Sequence, residues 1–196
     1  MSSTNPLDLA LDVAEIFEEL VIPYVASSEL ASSIWREYLK TAKIEFIADL
    51  RLEKLPEFVH RVTPKFQVNQ AAARNAIASQ SDFTLFHPAT GSKIQILLLK
   101  DDRFSQSMFS RHIHKAVAIN PQRSLRFPAL EDVVLAKLKR YRATQEQERQ
   151  LWDDILWIIK VKNDELDFGY LRDWASYLHI RNSLDRALAE VGFDRE

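Results

Sequence analysis

The first 90 residues of this chain contain no glycine, and the whole sequence of 196 residues has three, Gly91, Gly169 and Gly192. Loops that wrap phosphate groups rely on glycine, because a Cβ atom obstructs positive φ angles and a close approach of the backbone to the ligand. The glycine-rich fingerprints of P-loop and dinucleotide-binding proteins are therefore absent, which excludes both classes.

The remaining composition excludes further kinds of chemistry. No cysteine is present, so disulfides, thiolate catalysis, iron–sulfur clusters and cysteine-ligated zinc are ruled out. The net charge is −2, with acidic and basic residues spread along the chain, which gives no strong signal for a nucleic-acid partner. No signal peptide is visible, and the most apolar run, residues 94–99, is too short to span a bilayer. We expect a cytoplasmic protein without a membrane partner.

The first 127 residues alternate between helix-like and strand-like patterns. Asn5 and Pro6 form a typical helix start, and residues 43–49 place Ile44 and Phe46 on one face of a strand and Glu45 and Ile47 on the other. The patterns predict helices near residues 6–21, 27–38, 54–62, 70–79 and 108–114, and strands near residues 43–49, 66–68, 82–87, 93–99 and 117–119.

After Pro128 the pattern becomes wholly helical. Four apolar stripes at helical spacing follow one another, and the last of them ends at Gly192. We therefore predict an α+β protein with a mixed α/β core over residues 1–127 and a helical segment over residues 128–196 packed on it.

Two charged residues interrupt the apolar stripes of this helical segment. Lys137 lies four residues after Val133 on the first stripe, and Asp154 lies between Leu151 and Ile158 on the second. A buried charge is costly unless it is paired. We expect Lys137 and Asp154 to approach each other or to line a cleft. His112 and His114 are two residues apart, a spacing that could chelate a metal on a strand but makes the side chains diverge on the predicted helix. Because no third ligand stands at a recognisable spacing, they are interpreted as surface residues.

Three stretches of the chain carry a resemblance to a known family. They are residues 24–33 with 44–50, residues 83–100 with Asp101 and Asp102, and residues 129–138 with Tyr141, Arg142 and 152–156. Together they resemble small prokaryotic nucleotidyltransferase-like proteins, a group that includes minimal nucleotidyltransferases and abortive-infection toxins. The resemblance covers nearly the whole chain, and the third stretch is its most specific part. It implies a nucleotidyltransferase-like mixed sheet flanked by helices.

The resemblance also implies which positions would form the site. The family's glycine-serine motif falls on Ser27 and Ser28, its Asp-x-Asp motif on Lys43 and Glu45, and its third carboxylate on Gln95. Of these three acidic positions, only Glu45 still offers a metal ligand, since lysine does not bind Mg²⁺ and would repel it. These replacements imply a catalytically inactive relative, a pseudoenzyme without a cofactor.

Three hypotheses on function stay open. The leading one is a scaffold retained to bind a nucleotide or a protein partner, with Ser27, Ser28, Lys137 and Arg142 as candidate nucleotide-binding residues. For Ser27 and Ser28, the pattern favours capping of a helix over phosphate binding, because a serine oxygen satisfies the first free N–H groups of a helix. The alternative is an active Mg²⁺-dependent nucleotidyltransferase, related to toxin–antitoxin systems, whose metal site is rebuilt from Glu45 with Asp49, Asp101 or Asp102. The third is an interaction module whose cleft is filled by its own side chains.

Overall fold

A computed structural model describes residues 5–35, 44–117 and 120–193. The chain divides into two compact units, Met1–Pro128 and Ala129–Glu196. The first unit combines helices with a mixed five-stranded sheet and a separate two-stranded sheet. The second unit is helical in its described part. The predicted α+β fold class is confirmed.

The first unit contains five helices and seven strands within the described ranges. The helices are α1 (Pro6–Glu19), α2 (Ser28–Trp35), α3 (Leu55–Val62), α4 (Gln70–Ser79) and α5 (Arg103–Ser110). The strands are β1 (Tyr24–Ala26), β2 (Ile44–Ala48), β3 (Gln67–Val68), β4 (Asp82–His87), β5 (Ser92–Leu98), β6 (Ile113–Val117) and β7 (Asn120–Phe127).

The five-stranded sheet has the order β1-β2-β5-β4-β3. Strands β2 and β5 run parallel, whereas the other neighbours are antiparallel. Ile44 and Phe46 are fully buried on one face, 2% and 0% exposed, and their register partners on β5 are Ile94 and Ile96. The predicted division of β2 into two faces is confirmed, because alternation along a strand sends successive side chains to opposite sides.

An aromatic cluster forms the core of the first unit. Phe17 on α1 stacks on Tyr24 and on Phe58, both with centroids 5.3 Å apart, and meets the edge of Phe46 at 5.8 Å. Helix α1 is positioned for this packing from its first turn, where the side chain of Asn5 accepts a hydrogen bond from the Leu7 N–H. The cluster joins α1 and α3 to the buried face of the sheet.

The region after α5 differs from the sequence prediction. Helix α5 ends at Ser110, and residues 113–117 form β6, which pairs antiparallel with β7. The predicted helix over residues 108–114 is therefore wrong beyond Ser110, because a distant strand supplies the hydrogen bonds that a local pattern cannot reveal. Of the strand predicted over residues 117–119, Val117 closes β6 and the other two lie outside the described residues.

The second unit contains α6 (Leu130–Ala143), α7 (Arg149–Val161), α8 (Phe168–Tyr177) and α9 (Arg181–Glu190), with a short 3-10 turn at Asn163–Glu165. The four predicted apolar stripes correspond to these four helices. Their buried side chains include Leu138 on α6, Ile155 on α7, Leu171 on α8 and Leu184 on α9, each 0% exposed. Within the described ranges of both units, no helix has the length and apolar character needed to cross a bilayer.

Candidate functional site

The start of α2 is held beside strand β2. The Ser27 hydroxyl accepts a hydrogen bond from the Leu30 N–H at 3.3 Å, and the Ser27 N–H donates to the carbonyl oxygen of Glu45 at 2.9 Å. Ser27 thus caps α2, as one sequence interpretation predicted. The Ser28 hydroxyl donates to the Glu29 carboxylate at 3.0 Å. A carboxylate in the first turn complements the positive end of the helix dipole, so Glu29 supplies the negative charge that a bound anion would otherwise bring.

Glu45 and Gln95 lie side by side on the less buried face of the sheet. They are register partners in the parallel β2–β5 pair, and Glu45 is 6% exposed. The Gln95 side-chain amide nitrogen donates to Oδ2 of Asp82 at 2.6 Å. The sheet therefore brings Glu45, Gln95 and Asp82 into one polar row. The first predicted position of the acidic motif, Lys43, lies outside the described residues.

Sequence reasoning missed Asp82 as a member of this row. Its register partner is Leu97, whereas Gln95 is paired with Thr84. Asp82 therefore reaches Gln95 diagonally across the antiparallel pair, a distance that side chains of this length can span. The sequence predicted the hairpin that contains both residues. The diagonal contact between them follows only from the exact register of its two strands.

Two of the three acids considered for a rebuilt metal site, Asp49 and Asp102, have other contacts. Asp49 pairs with Arg51 at 3.2 Å. Asp102 caps α5, because its carboxylate accepts from the N–H of Ser105 at 3.0 Å and from its hydroxyl at 2.6 Å. Asp101 is exposed in the turn before this helix. Across the part of the chain that the structure describes, no three acidic or histidine side chains form a group that could hold a metal ion.

Lys137 and Asp154 form an ion pair inside the second unit. The Nζ atom of Lys137 lies 3.1 Å from Oδ2 of Asp154, and the two side chains are 2% and 18% exposed. Their predicted approach is confirmed, since each occupies the apolar stripe of its own helix, α6 or α7. Arg142, one turn further along α6, is exposed.

Two more buried acids connect α6 to α8, and sequence reasoning overlooked both. Asp132 is 0% exposed and accepts a hydrogen bond from the Tyr170 hydroxyl at 2.7 Å. Glu131 accepts from the Asp167 N–H at 2.9 Å. Acids in the first turn of a helix are commonly explained by the helix dipole. Their sequence position therefore does not indicate that they also bind groups of a distant helix.

An arginine–aromatic cluster joins α6, α7 and α9. The guanidinium of Arg186 lies 3.9 Å from the ring centroid of Trp152 and donates to the Tyr141 hydroxyl at 2.9 Å. Tyr141 stacks on Trp152 with centroids 4.8 Å apart. The indole N–H of Trp152 donates to Glu190 at 3.0 Å. These contacts are satisfied within the unit, so we read the cluster as structural.

Tyr24 is a buried ionisable group of the first unit, 1% exposed. Burial, and next the nearby Glu18 carboxylate, raise the pKa of its hydroxyl above the ordinary value. Arg126 donates to Glu18 at 2.6 Å, and its guanidinium lies 5.2 Å from the Tyr24 ring centroid. Tyr24 therefore stays neutral next to a charged pair.

His112 and His114 are near neighbours at the start of β6. Their ring centroids lie 5.5 Å apart, and Nδ1 of His112 is 3.0 Å from the carbonyl oxygen of Phe109. His114 is exposed and His112 is half-buried. The rings do not diverge as the helical prediction implied, because β6 replaces that part of the helix.

Two solved structures resemble the chain over nearly its full length. One is the crystal structure of an antigenic nucleotidyltransferase-like protein from Paracoccidioides brasiliensis, with 16% identity, a TM-score of 0.55, and coverage of 95% of this chain and 94% of that chain. The other is the solution structure of the antibiotic-resistance factor ANT(2'')-Ia, with 9% identity, a TM-score of 0.50, and coverage of 94% and 95%. No protein-family model matches the sequence, and no curated protein matches it. The chain therefore has a nucleotidyltransferase-like fold, and identities this low show the fold alone.

Proposed function

We propose that this chain is a nucleotidyltransferase-fold protein without transferase activity, retained as a module that binds a nucleotide without metal or binds a protein partner. The observation that carries the proposal is the polar row on the sheet. Gln95 stands where the resembled family has its third carboxylate, and its amide nitrogen is engaged by Asp82 at 2.6 Å. Lys43 stands at the first acidic position. Glu45 is the one carboxylate left of the three.

Strand geometry argues against a metal site rebuilt from Glu45 and the later acids. Glu45 and Asp49 are four residues apart along β2 and its end, which corresponds to about 13 Å in an extended strand. The oxygen atoms that bind one Mg²⁺ ion have to lie about 2.1 Å from it, so two carboxylates this far apart do not share an ion. Asp101 and Asp102 follow β5, whose carboxyl end lies beside that of β2, so they too are near Asp49 and distant from Glu45.

Among the candidate nucleotide-binding residues, Arg142 is best placed to bind a phosphate group. Lys137 is neutralised by Asp154, Ser27 caps α2, and Ser28 contacts Glu29. Arg142 is exposed at the last turn of α6, where a guanidinium can meet a phosphate group. A prokaryotic and cytoplasmic setting belongs to the same proposal and rests on the sequence resemblance.

Thermal unfolding with nucleoside triphosphates, each at about 1 mM, tests whether the protein binds a nucleotide. A ligand with a Kd of about 0.1 mM stabilises by about 1.4 kcal/mol and raises the Tm by about 2–4 °C. We expect an increase in Tm that does not need Mg²⁺. The variant Arg142→Ala should reduce this increase. The variant Arg149→Ala, which removes an exposed arginine from α7, should leave it unchanged. A shift that requires Mg²⁺ would contradict the proposal, whereas no shift would favour a protein partner.

Restoring the acidic positions tests the loss of metal binding directly. We expect the double variant Lys43→Asp/Gln95→Asp to bind Mn²⁺ in paramagnetic titrations, because it returns carboxylates to the two positions that the resemblance assigns to metal ligands. The wild type should bind no more Mn²⁺ than a Lys160→Asp control, which adds an acid at an exposed position on α7. Tight Mn²⁺ binding or nucleotidyl transfer by the wild-type chain would overturn the proposal.

A further inference from the structure

A cavity lies in the first unit where strands β2 and β5 end. Its volume is about 320 Å³, which falls in the range of small-molecule pockets. Apolar side chains of Leu50, Leu52, Ile77 and Leu99 line it. This combination of size and apolar lining suits the hydrocarbon part of a small ligand.

The cavity occupies the carboxyl ends of the only parallel strand pair described in the sheet. Leu99, just after β5, donates its N–H to the carbonyl oxygen of Ala48 at 3.0 Å, and Asp49 donates its N–H to the carbonyl oxygen of Pro23 at 3.0 Å. These bonds fix the backbone around the cavity. Ligands of open α/β sheets bind outside the carboxyl ends of the strands. The polar row with Glu45 lies toward the opposite end of β2.

The charges around the cavity favour a cation. Asp49 and Glu53 contribute carboxylates to the lining. Helix α4 ends at the same place, where Gln80 closes it in a left-handed conformation with φ 49°. The carboxyl end of a helix carries partial negative charge and favours positive groups. Arg51 also lines the cavity and offsets one of the two carboxylates, so these groups leave a net negative charge beside the apolar part of the lining.

Arg51 shows how a cation interacts with this edge. Its guanidinium donates to Oδ2 of Asp49 at 3.2 Å, while its side chain is 74% exposed. An exposed pair of this kind contributes little to stability, since water and salt screen it. A ligand cation can therefore replace Arg51 at Asp49 without disturbing the core.

We infer that this cavity binds a small organic amine. The aliphatic part of the ligand packs on Leu50, Leu52 and Ile77, and its ammonium group donates to Asp49 and Glu53. The inference is independent of the proposed nucleotide or protein binding, because it concerns the other end of the parallel strand pair.

Titration of the full chain with 1-hexylamine, followed by two-dimensional ¹H–¹⁵N NMR, tests this site. We expect saturable shifts at residues 49–53, 77–80 and 98–99. Hexanoate has the same hydrocarbon length and the opposite charge, and it should produce no saturable shift at these residues. Absence of saturation up to about 10 mM amine, or equal binding of hexanoate, would overturn the inference.

Variants then assign the binding to the proposed groups. Asp49→Asn should weaken the affinity for hexylamine about tenfold, as expected for the loss of a charge-assisted hydrogen bond. Arg51→Ala should leave the affinity unchanged or raise it, because the competing cation is gone. Glu57→Gln removes an exposed acid from α3 away from the cavity and should change nothing. Equal affinities of Asp49→Asn and wild type would contradict the site.

Discussion

The Nζ atom of Lys137 lies 3.1 Å from Oδ2 of Asp154, and the lysine side chain is 2% exposed. A buried ammonium is stable only with a partner, because removal of one member of such a pair leaves an uncompensated charge in an apolar environment. The pair therefore constrains how α6 and α7 pack, whichever ligand the protein binds.

The first prediction concerns this pair. Asp154→Asn should lower the free energy of unfolding by about 3 kcal/mol in urea titrations. The double variant Lys137→Met/Asp154→Leu should recover most of the loss, since it removes both charges and keeps apolar volume. Asp185→Asn breaks the partly exposed pair with Arg181 on α9, 2.9 Å apart, and should cost no more than about 0.5 kcal/mol. Equal losses in the two single variants would contradict this account.

The second prediction concerns Val21, which follows α1. This β-branched residue has φ 52° and is 81% exposed. Its N–H donates to the carbonyl oxygen of Glu18 at 3.0 Å, and the N–H of Ile22 donates to the carbonyl oxygen of Phe17 at 2.8 Å. A helix end with these two bonds normally carries glycine or asparagine at the position of Val21. Val21→Asn should therefore raise stability by about 1 kcal/mol in thermal unfolding.

Val161 provides the control for that substitution. It is also an exposed valine, at 52%, but it lies within helix α7. Val161→Asn should be neutral or slightly destabilising, because asparagine has no advantage in a helix. A gain in stability at Val161 equal to that at Val21 would show that the left-handed conformation is not the cause.

The third prediction is a pH dependence that arises from Tyr24. Its raised pKa means that the folded state holds the phenol proton at pH values where the unfolded chain, with a tyrosine pKa of about 10, has released it. The contribution is fully present below about pH 10 and is lost as the pH rises toward the folded pKa. Stability should fall by up to about 1.4 kcal/mol per pH unit above about pH 10.

Substitution separates Tyr24 from the other alkaline titrations. Tyr24→Phe should flatten the decline of the free energy of unfolding above pH 10. Tyr177→Phe changes a residue that is 49% exposed and should leave the decline intact. If Tyr24→Phe and wild type lose stability in parallel, burial of this hydroxyl is not the source of the pH dependence.

The sequence predicted those features that depend on local periodicity. The two faces of β2, the cap at Ser27 and the pairing of Lys137 with Asp154 all follow from spacing within an element or from a charge placed on an apolar stripe. Strand β6 and the bond between Asp132 and Tyr170 were missed, because they depend on partners that lie far along the chain. Asp82 was missed for a related reason, since its contact with Gln95 depends on the register of two strands.

The last prediction returns to that contact. Gln95→Glu restores the acid of the resembled family. The new carboxylate lies against Asp82, to which the amide nitrogen now donates at 2.6 Å, and beside Glu45, its register partner on β2. Two adjacent carboxylates repel, which raises the pKa of the pair. Gln95→Glu should therefore be destabilised by about 1 kcal/mol at pH 8, and the deficit should shrink as the pH falls toward 5 and the pair takes up a proton.

A second substitution identifies Asp82 as the source of that deficit. Asp82→Asn in the Gln95→Glu background restores a donor–acceptor pair with the roles reversed. It should therefore recover at pH 8 the part of the stability that repulsion from Asp82 removed, while the repulsion from Glu45 remains. Gln67→Glu makes the same exchange at an exposed position on β3 and should show neither the deficit nor its pH dependence. A Gln95→Glu variant whose Tm equals that of wild type at both pH values would mean that Asp82 and Gln95 do not interact in solution.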